Sequence, residues 1–259
     1  MIKNKERCGN FTSSEIVALM STGKQIEGFG LPAVTYISEK RIERLLERSI
    51  SDEVSARPLV WGKLLESHVF GLLGLDYTLS SQETDMHPEI DFWAGSKDGT
   101  HEGEQKAVID IKCPITLKSF CQLVMPIYCG LDGNECIDAI RNGFTHNGIT
   151  YEKHKSGETY YWQLVSNACI NGTDWAELIV YTPYQSELSD IRLLCEGNPK
   201  AYGIWSSSDE ELPNLVNDGY FKNLNVIRFQ IPQEDKDRLR ANVLKAGKLL
   251  QPEQIKKAA

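Results

Sequence analysis

No C-x-x-C or H-x-x-x-H pair, no glycine-rich phosphate loop, no long apolar run and no surplus of positive charge occur in the 259 residues. Each absence removes a class. The seven cysteines are scattered, and Cys113, Cys121, Cys129 and Cys136 stand seven or eight residues apart, too wide for the usual zinc or iron–sulfur patterns. Reduced thiols in or near the core are expected instead. The histidines show no ligand spacing either, so any metal should have oxygen ligands. Without G-x-x-x-x-G-K-[ST], ATP-driven translocation within this chain is not expected. No stretch is apolar enough to span a bilayer. The polar start "MIKNKERCGNF" lacks the apolar segment of a secretory signal, so a cytoplasmic location is expected and the sequons at Asn10 and Asn171 carry no meaning. A net charge of −8 argues against a protein that coats nucleic acid nonspecifically. It leaves room for an enzyme that grips nucleic acid in a local basic groove.

What is present is ordinary globular patterning without repeats or linkers. Residues 13–21 suit a short helix capped by Ser13 or Ser14. Residues 33–50 suit a second, with Val34, Ile37, Ile42, Leu45 and Leu46 on one side, and "LVWGKLLESHVFGLLG" a third. The period then changes. "DYTLSSQET", "EIDFWAG" and "KAVIDIKC" read as short strands punctuated by Pro88, Gly95, Gly99 and Gly103. Helices follow at 116–126 and 133–142, then the polar loop "THNGITYEKHKSGE", the helix "TYYWQLVSNACI" and the strand "AELIVYTP". The strand "NVIRFQI", a polar helix over 232–250 and a frayed tail "QIKKAA" complete the chain. The pattern is α/β or α+β: one domain over 1–259, with a central mixed sheet flanked by helices. Trp61, Trp93, Trp162 and Trp175 are expected to pack rather than to stack on bases.

One strand carries chemistry. In "VIDIK" (108–112), Ile109 and Ile111 face one side, and Asp110 and Lys112 the other. Asp91 points away from Ile90 and Phe92, and pairing of its strand with 107–112 as a hairpin brings it beside Asp110. Glu66 has Gly62, Val69 and Phe70 as helical neighbours, which sets it at the margin of an apolar face. Three neighbouring carboxylates repel one another and hold protons unless a cation shares the site. Magnesium or manganese relieves that repulsion through oxygen ligands, and a lysine beside it can orient water and offset charge on phosphate. A D-x-K on a solvated strand face is otherwise an ordinary ion pair.

The words "LVWGKLLESHVF", "HPEIDFWAG", "VIDIKCPITLKSF" and "YYWQLVSNACINGTDWAELIVYTP", together with "RCGNFTSSEI" near the start, tilt that choice. In order and spacing they resemble the motifs of the phage lambda-type exonuclease and viral recombinase family, part of the PD-(D/E)XK nuclease superfamily. The resemblance spans roughly residues 7–183 and leaves 184–259 unassigned. It implies a restriction-endonuclease-like core with Asp91, Asp110 and the Ile111 carbonyl as metal ligands. Lys112 would handle the attacking water, Glu66 would support a second metal, and Gln163 would line the active site. Arg7 and Ser14 match residues that hold the 5′-phosphate of a DNA end, a task suited to the planar arginine fork. Two departures stand out. The family shows S/T-P-D where "HPEID" has His87 at the equivalent place, which makes Glu89 a rival to Asp91. The segment 128–158 is longer than in compact members, and its Lys153, His154 and Lys155 are read as a solvated surface loop.

The expected activity is magnesium-dependent 5′-to-3′ exonuclease action on linear double-stranded DNA, with two ions and with manganese able to substitute. It would release mononucleotides and leave 3′ tails for recombination. The resemblance further implies a trimeric ring and a single-strand annealing partner. Two alternatives stay open: another nuclease of the superfamily, cutting internally or at flaps, and a non-catalytic DNA-binding protein.

Overall fold

The computed structural model describes residues 6–50, 56–80 and 84–250; the tail "QIKKAA" lies outside them. The chain opens with β1 (Phe11–Thr12), a 3-10 turn at Ile16–Met20, then α1 (Leu31–Leu46) and α2 (Arg57–Leu72). Pro32 and Pro58 sit in the first turns of α1 and α2, where a missing N–H costs no helical bond. The strands β2 (Tyr77–Leu79), β3 (Asp85–Met86), β4 (Trp93–Gly95), β5 (Gly99–His101) and β6 (Ala107–Lys112) follow. Next come α3 (Leu117–Tyr128) and α4 (Gly133–Asn142), a hairpin of β7 (Phe144–His146) and β8 (Ile149–Tyr151), then α5 (Gly157–Asn171) and β9 (Trp175–Tyr181). The last quarter adds α6 (Leu188–Leu194), α7 (Tyr202–Trp205), β10 (Leu224–Gln230) and α8 (Gln233–Lys248).

The main sheet has the order β10–β9–β6–β5–β2, with β6 and β9 parallel and the other pairs antiparallel. One face packs Val108, Leu178, Val180, Ile227 and Phe229 with side chains from α3, α4, α5 and α8. The other packs Ile109, Ile111, Ile179 and Tyr181 against Trp61, Leu65 and Val69 of α2 and against α6 and α7. The expected mixed sheet flanked by helices is what forms. Since β6 is covered on both faces, Asp110 has no solvated surface to sit on; it is fully buried. The segment 184–250, unassigned from sequence, supplies an edge strand and the helices that close both sides. No helix among the described residues is long and apolar enough to cross a membrane.

Three local readings are corrected. Ser13 and Ser14 do not cap the first turn; Ser13 Oγ lies 2.8 Å from Ser166 Oγ on α5, and Ser14 Oγ accepts from Arg7. On α1 the buried face is Ala33, Tyr36, Ile37, Lys40 and Glu43, while Ile42, Leu45 and Leu46 are exposed. The polar residues go inward because Glu43 accepts the Gly9 amide at 2.9 Å and pairs with Lys40 at 3.1 Å. Finally, the "polar loop" contains β7 and β8. Asn147 (φ 48°) and Gly148 (φ 77°) form the two-residue turn that matches strand twist.

Candidate active site

A cleft of about 760 Å³ opens at the carboxyl end of β6, where parallel strands leave room beside the sheet. Glu66 from α2, Asp98 from the turn before β5, Asp110, Ile111 and Lys112 from β6, and Gln163 from α5 all line it. Asp110 Oδ1 accepts a hydrogen bond from Gln163 Nε2 at 2.9 Å. Its Oδ2 is buried and lies 2.6 Å from Lys112 Nζ, its one close partner among the described residues. Lys112 Nζ sits 4.9 Å from the centre of the Tyr160 ring, a cation–π contact. Asp98 Oδ2 accepts the Ile111 amide at 2.6 Å, which ties this carboxylate to the strand carrying the other two groups.

The electrostatics are strained toward negative charge. Burial and the Asp110 carboxylate push the Asp98 pKa up to about 8, against the pull of Lys112. Burial and Asp110 raise Glu66 likewise. For Lys112, burial favours the neutral amine, but Asp110 and Asp98 outweigh it, so the ammonium is held well above the usual lysine range. The Lys112 ammonium thus acts on all three carboxylates, and Lys63 acts on Glu66 as well. Asp110 Oδ2, buried and met only by the Lys112 ammonium among the described residues, and this all-oxygen donor set fit a hard divalent cation. Among the described residues no three acidic, histidine or cysteine side chains converge closely enough to hold an ion as they stand. Lys112 holds the Asp110 carboxylate in that arrangement.

The structure brings together Glu66, Asp110, Ile111, Lys112 and Gln163, and it does not bring Asp91. Asp91 is exposed in the turn before β4 and lines no part of the cleft. The expected hairpin of "EIDFWAG" with "KAVIDIKC" does not form: β4 pairs with β1 and β3 in a separate small sheet, and the antiparallel partner of β6 is β5. Gly99, read as punctuation, is a strand residue whose added Cβ would lie 2.6 Å from Thr78 O, so β2 can pair only against glycine there. Glu89, the rival, is exposed and ion-paired with Arg240. His87 stacks on Trp93, and its Nδ1 accepts the Glu89 amide at 3.1 Å. "HPEID" is therefore a packed turn. The missed residue is Asp98, and its available signal was the S-x-D word Ser96–Lys97–Asp98, ending twelve residues before Asp110.

Arg7 Nη2 donates to Ser14 Oγ at 3.0 Å, and neither residue lines the cleft. They are tied to it through the adjacent Ser13, whose partner Ser166 is three residues beyond Gln163 on α5. The supposed surface loop also moves: Glu152, Lys153, His154 and Lys155 line the cleft, and His154 is buried. Burial and Lys155 lower the His154 pKa below 6.5. The unfolded chain then takes up the proton more readily, so stability is lost as pH falls below about 6.5. His154→Gln is expected to lose less melting temperature than wild type between about pH 7.5 and 5.5; equal losses would contradict this.

No protein-family model matches the chain, and neither does any of the curated proteins. Solved structures do. An alkaline exonuclease from Laribacter hongkongensis is 15% identical with a TM-score of 0.55, over 94% of this chain and 89% of its own. The same enzyme in complex with dAMP is 16% identical with a TM-score of 0.56, over 95% of this chain and 90% of its own. A phage-related exonuclease from Haemophilus somnus 129PT is 16% identical with a TM-score of 0.60, over 93% of both chains. At such identities the likeness is one of architecture, and the chain has the fold of these exonucleases.

Proposed function

We propose that this chain is a divalent-cation-dependent deoxyribonuclease acting on the ends of linear double-stranded DNA. It would digest one strand 5′ to 3′ into mononucleotides, inside the cell, and leave 3′ tails for recombination. The single observation that carries this reading is the gathering of Glu66, Asp98, Asp110 and Lys112 in one cleft of an exonuclease fold. That the Laribacter enzyme was crystallised with dAMP, a deoxynucleoside monophosphate, agrees with a mononucleotide product.

Asp98, Asp110 and the Ile111 carbonyl are the groups we assign to magnesium, with manganese as a substitute and Glu66 toward a second ion. When bound, such cations lower the pKa of water and offset charge on the phosphate. The protein's own groups do the rest. Gln163 fixes the Asp110 carboxylate by its bond to Oδ1. Lys112, held protonated by its neighbours, supplies positive charge to the developing phosphorane and orients the attacking water. Arg7 and Ser14 are assigned to the 5′-phosphate. Arg7→Ala is expected to cut the preference for 5′-phosphorylated over hydroxyl ends by about tenfold or more, the cost of a charge-assisted bond. An unchanged preference would remove that pocket. We extend the reading to a trimeric ring on DNA and an annealing partner, in which enclosure would let an acidic chain stay on its substrate.

End-labelled linear duplex with magnesium, with EDTA, and beside a closed circle tests the proposal. Mononucleotides from the 5′ end, with magnesium alone and with the circle spared, support it. Rapid cutting of the circle would favour an endonuclease of the same superfamily.

A further inference from the structure

We propose that Lys153 and Lys155, together with Lys118 of α3, form a phosphate rail that carries the DNA backbone along the cleft to the carboxylates. The inference rests on the nuclease reading above. In a chain of net charge −8, these lysines line the same cleft as Glu66, Asp98 and Asp110. All three are exposed. None makes an ion pair with a carboxylate among the described residues. A polyanion approaching three carboxylates needs local positive charge at the entrance, and this rim supplies it.

The segment is also built to hold its shape. His154 sits between the two lysines and turns inward, only 2% exposed. Its amide donates to Ile140 O at 2.9 Å, and its carbonyl accepts the Gly157 amide at 2.9 Å. Its Nδ1 accepts the Ser156 amide at 3.2 Å. That bond requires an unprotonated Nδ1, so the neutral ring carries its hydrogen on Nε2 and donates it to Ser119 Oγ, 2.7 Å away. The ring also stacks on Tyr160, the residue whose face holds Lys112. Gly157 closes the segment against α4, since a Cβ there would lie 2.5 Å from Ile140 O. Two exposed lysines thus flank one locked histidine that packs on the aromatic wall of the reaction centre. A rigid backbone spares part of the ordering cost of binding.

The test uses an Asp110→Asn parent, so that DNA is bound without being cut. Affinity for a blunt linear duplex is measured by fluorescence anisotropy from about 50 to 300 mM NaCl. Lys153→Gln/Lys155→Gln should make log K against log salt shallower by about 1 to 2, with affinity at low salt weaker by about tenfold or more. Lys118→Gln alone should lower the slope by about 1. Lys222→Gln/Lys248→Gln, away from the cleft, should change neither quantity. Equal circular dichroism and melting of all variants confirm that they fold. If the variants keep the parent's slope and affinity, the rail is wrong while the nuclease reading stands. A parent that binds no duplex at all overturns both.

Discussion

Asp98→Asn is expected to lower DNA hydrolysis by about 10³-fold, whereas Asp91→Asn and Glu89→Gln stay within about twofold of wild type. Asn keeps the shape of Asp98 and can still accept the Ile111 amide, so the turn before β5 should survive. What disappears is the negative charge that a divalent cation requires. The same change should leave the cation-free protein as stable as wild type or more so, because Asp98 stands against Asp110 and Glu66. Loss of activity without loss of melting temperature separates a functional carboxylate from a structural one. Asp91 lies exposed outside the cleft, and Glu89 is engaged with Arg240 in solvent. Should Asp91→Asn instead be the inactive variant, the strand pairing described for β5 and β6 is wrong.

Lys112→Ala is the second large effect: turnover down by about 10³-fold, with duplex affinity within a few-fold of wild type. Its ammonium is the one positive group paired to the buried Asp110, at 2.6 Å, among the described residues. Removing it should also destabilise the cation-free protein by about 3 kcal/mol, the cost of stranding a buried charge. Added magnesium should then raise the melting temperature of Lys112→Ala more than that of wild type, because the cation restores the missing countercharge. A variant with near-normal turnover, or one indifferent to magnesium, would refute the role given to Lys112.

The parts of this site that were legible obey local rules. Asp110 and Lys112 show the two-residue period of a strand whose other face is apolar, and Ile109 and Ile111 do pack opposite them. Glu66 lies on a helix whose buried positions, Trp61, Leu65 and Val69, recur every four residues, and Gln163 lies on a helix buried on most sides. Asp98 was hidden because β5 is three residues long, Gly99–His101, and has no hydrophobic alternation. It is a strand only because β2 and β6 pair on either side of it, and no local preference reports that. The same limit governs α1, where Ile42, Leu45 and Leu46 look like a core stripe yet face outward. There the N-terminal segment demanded a buried acceptor, and Glu43 supplied it. The hairpin at Asn147–Gly148 was different: its turn signal was in plain view, but the surrounding polarity masked it.

The most direct measurement is a crystal soaked in manganese, read by anomalous scattering. A peak flanked by the Asp98 and Asp110 carboxylates, with Lys112 drawn off Asp110, is the predicted result. No peak there, or one beside Asp91, would contradict the cation site on which the account depends.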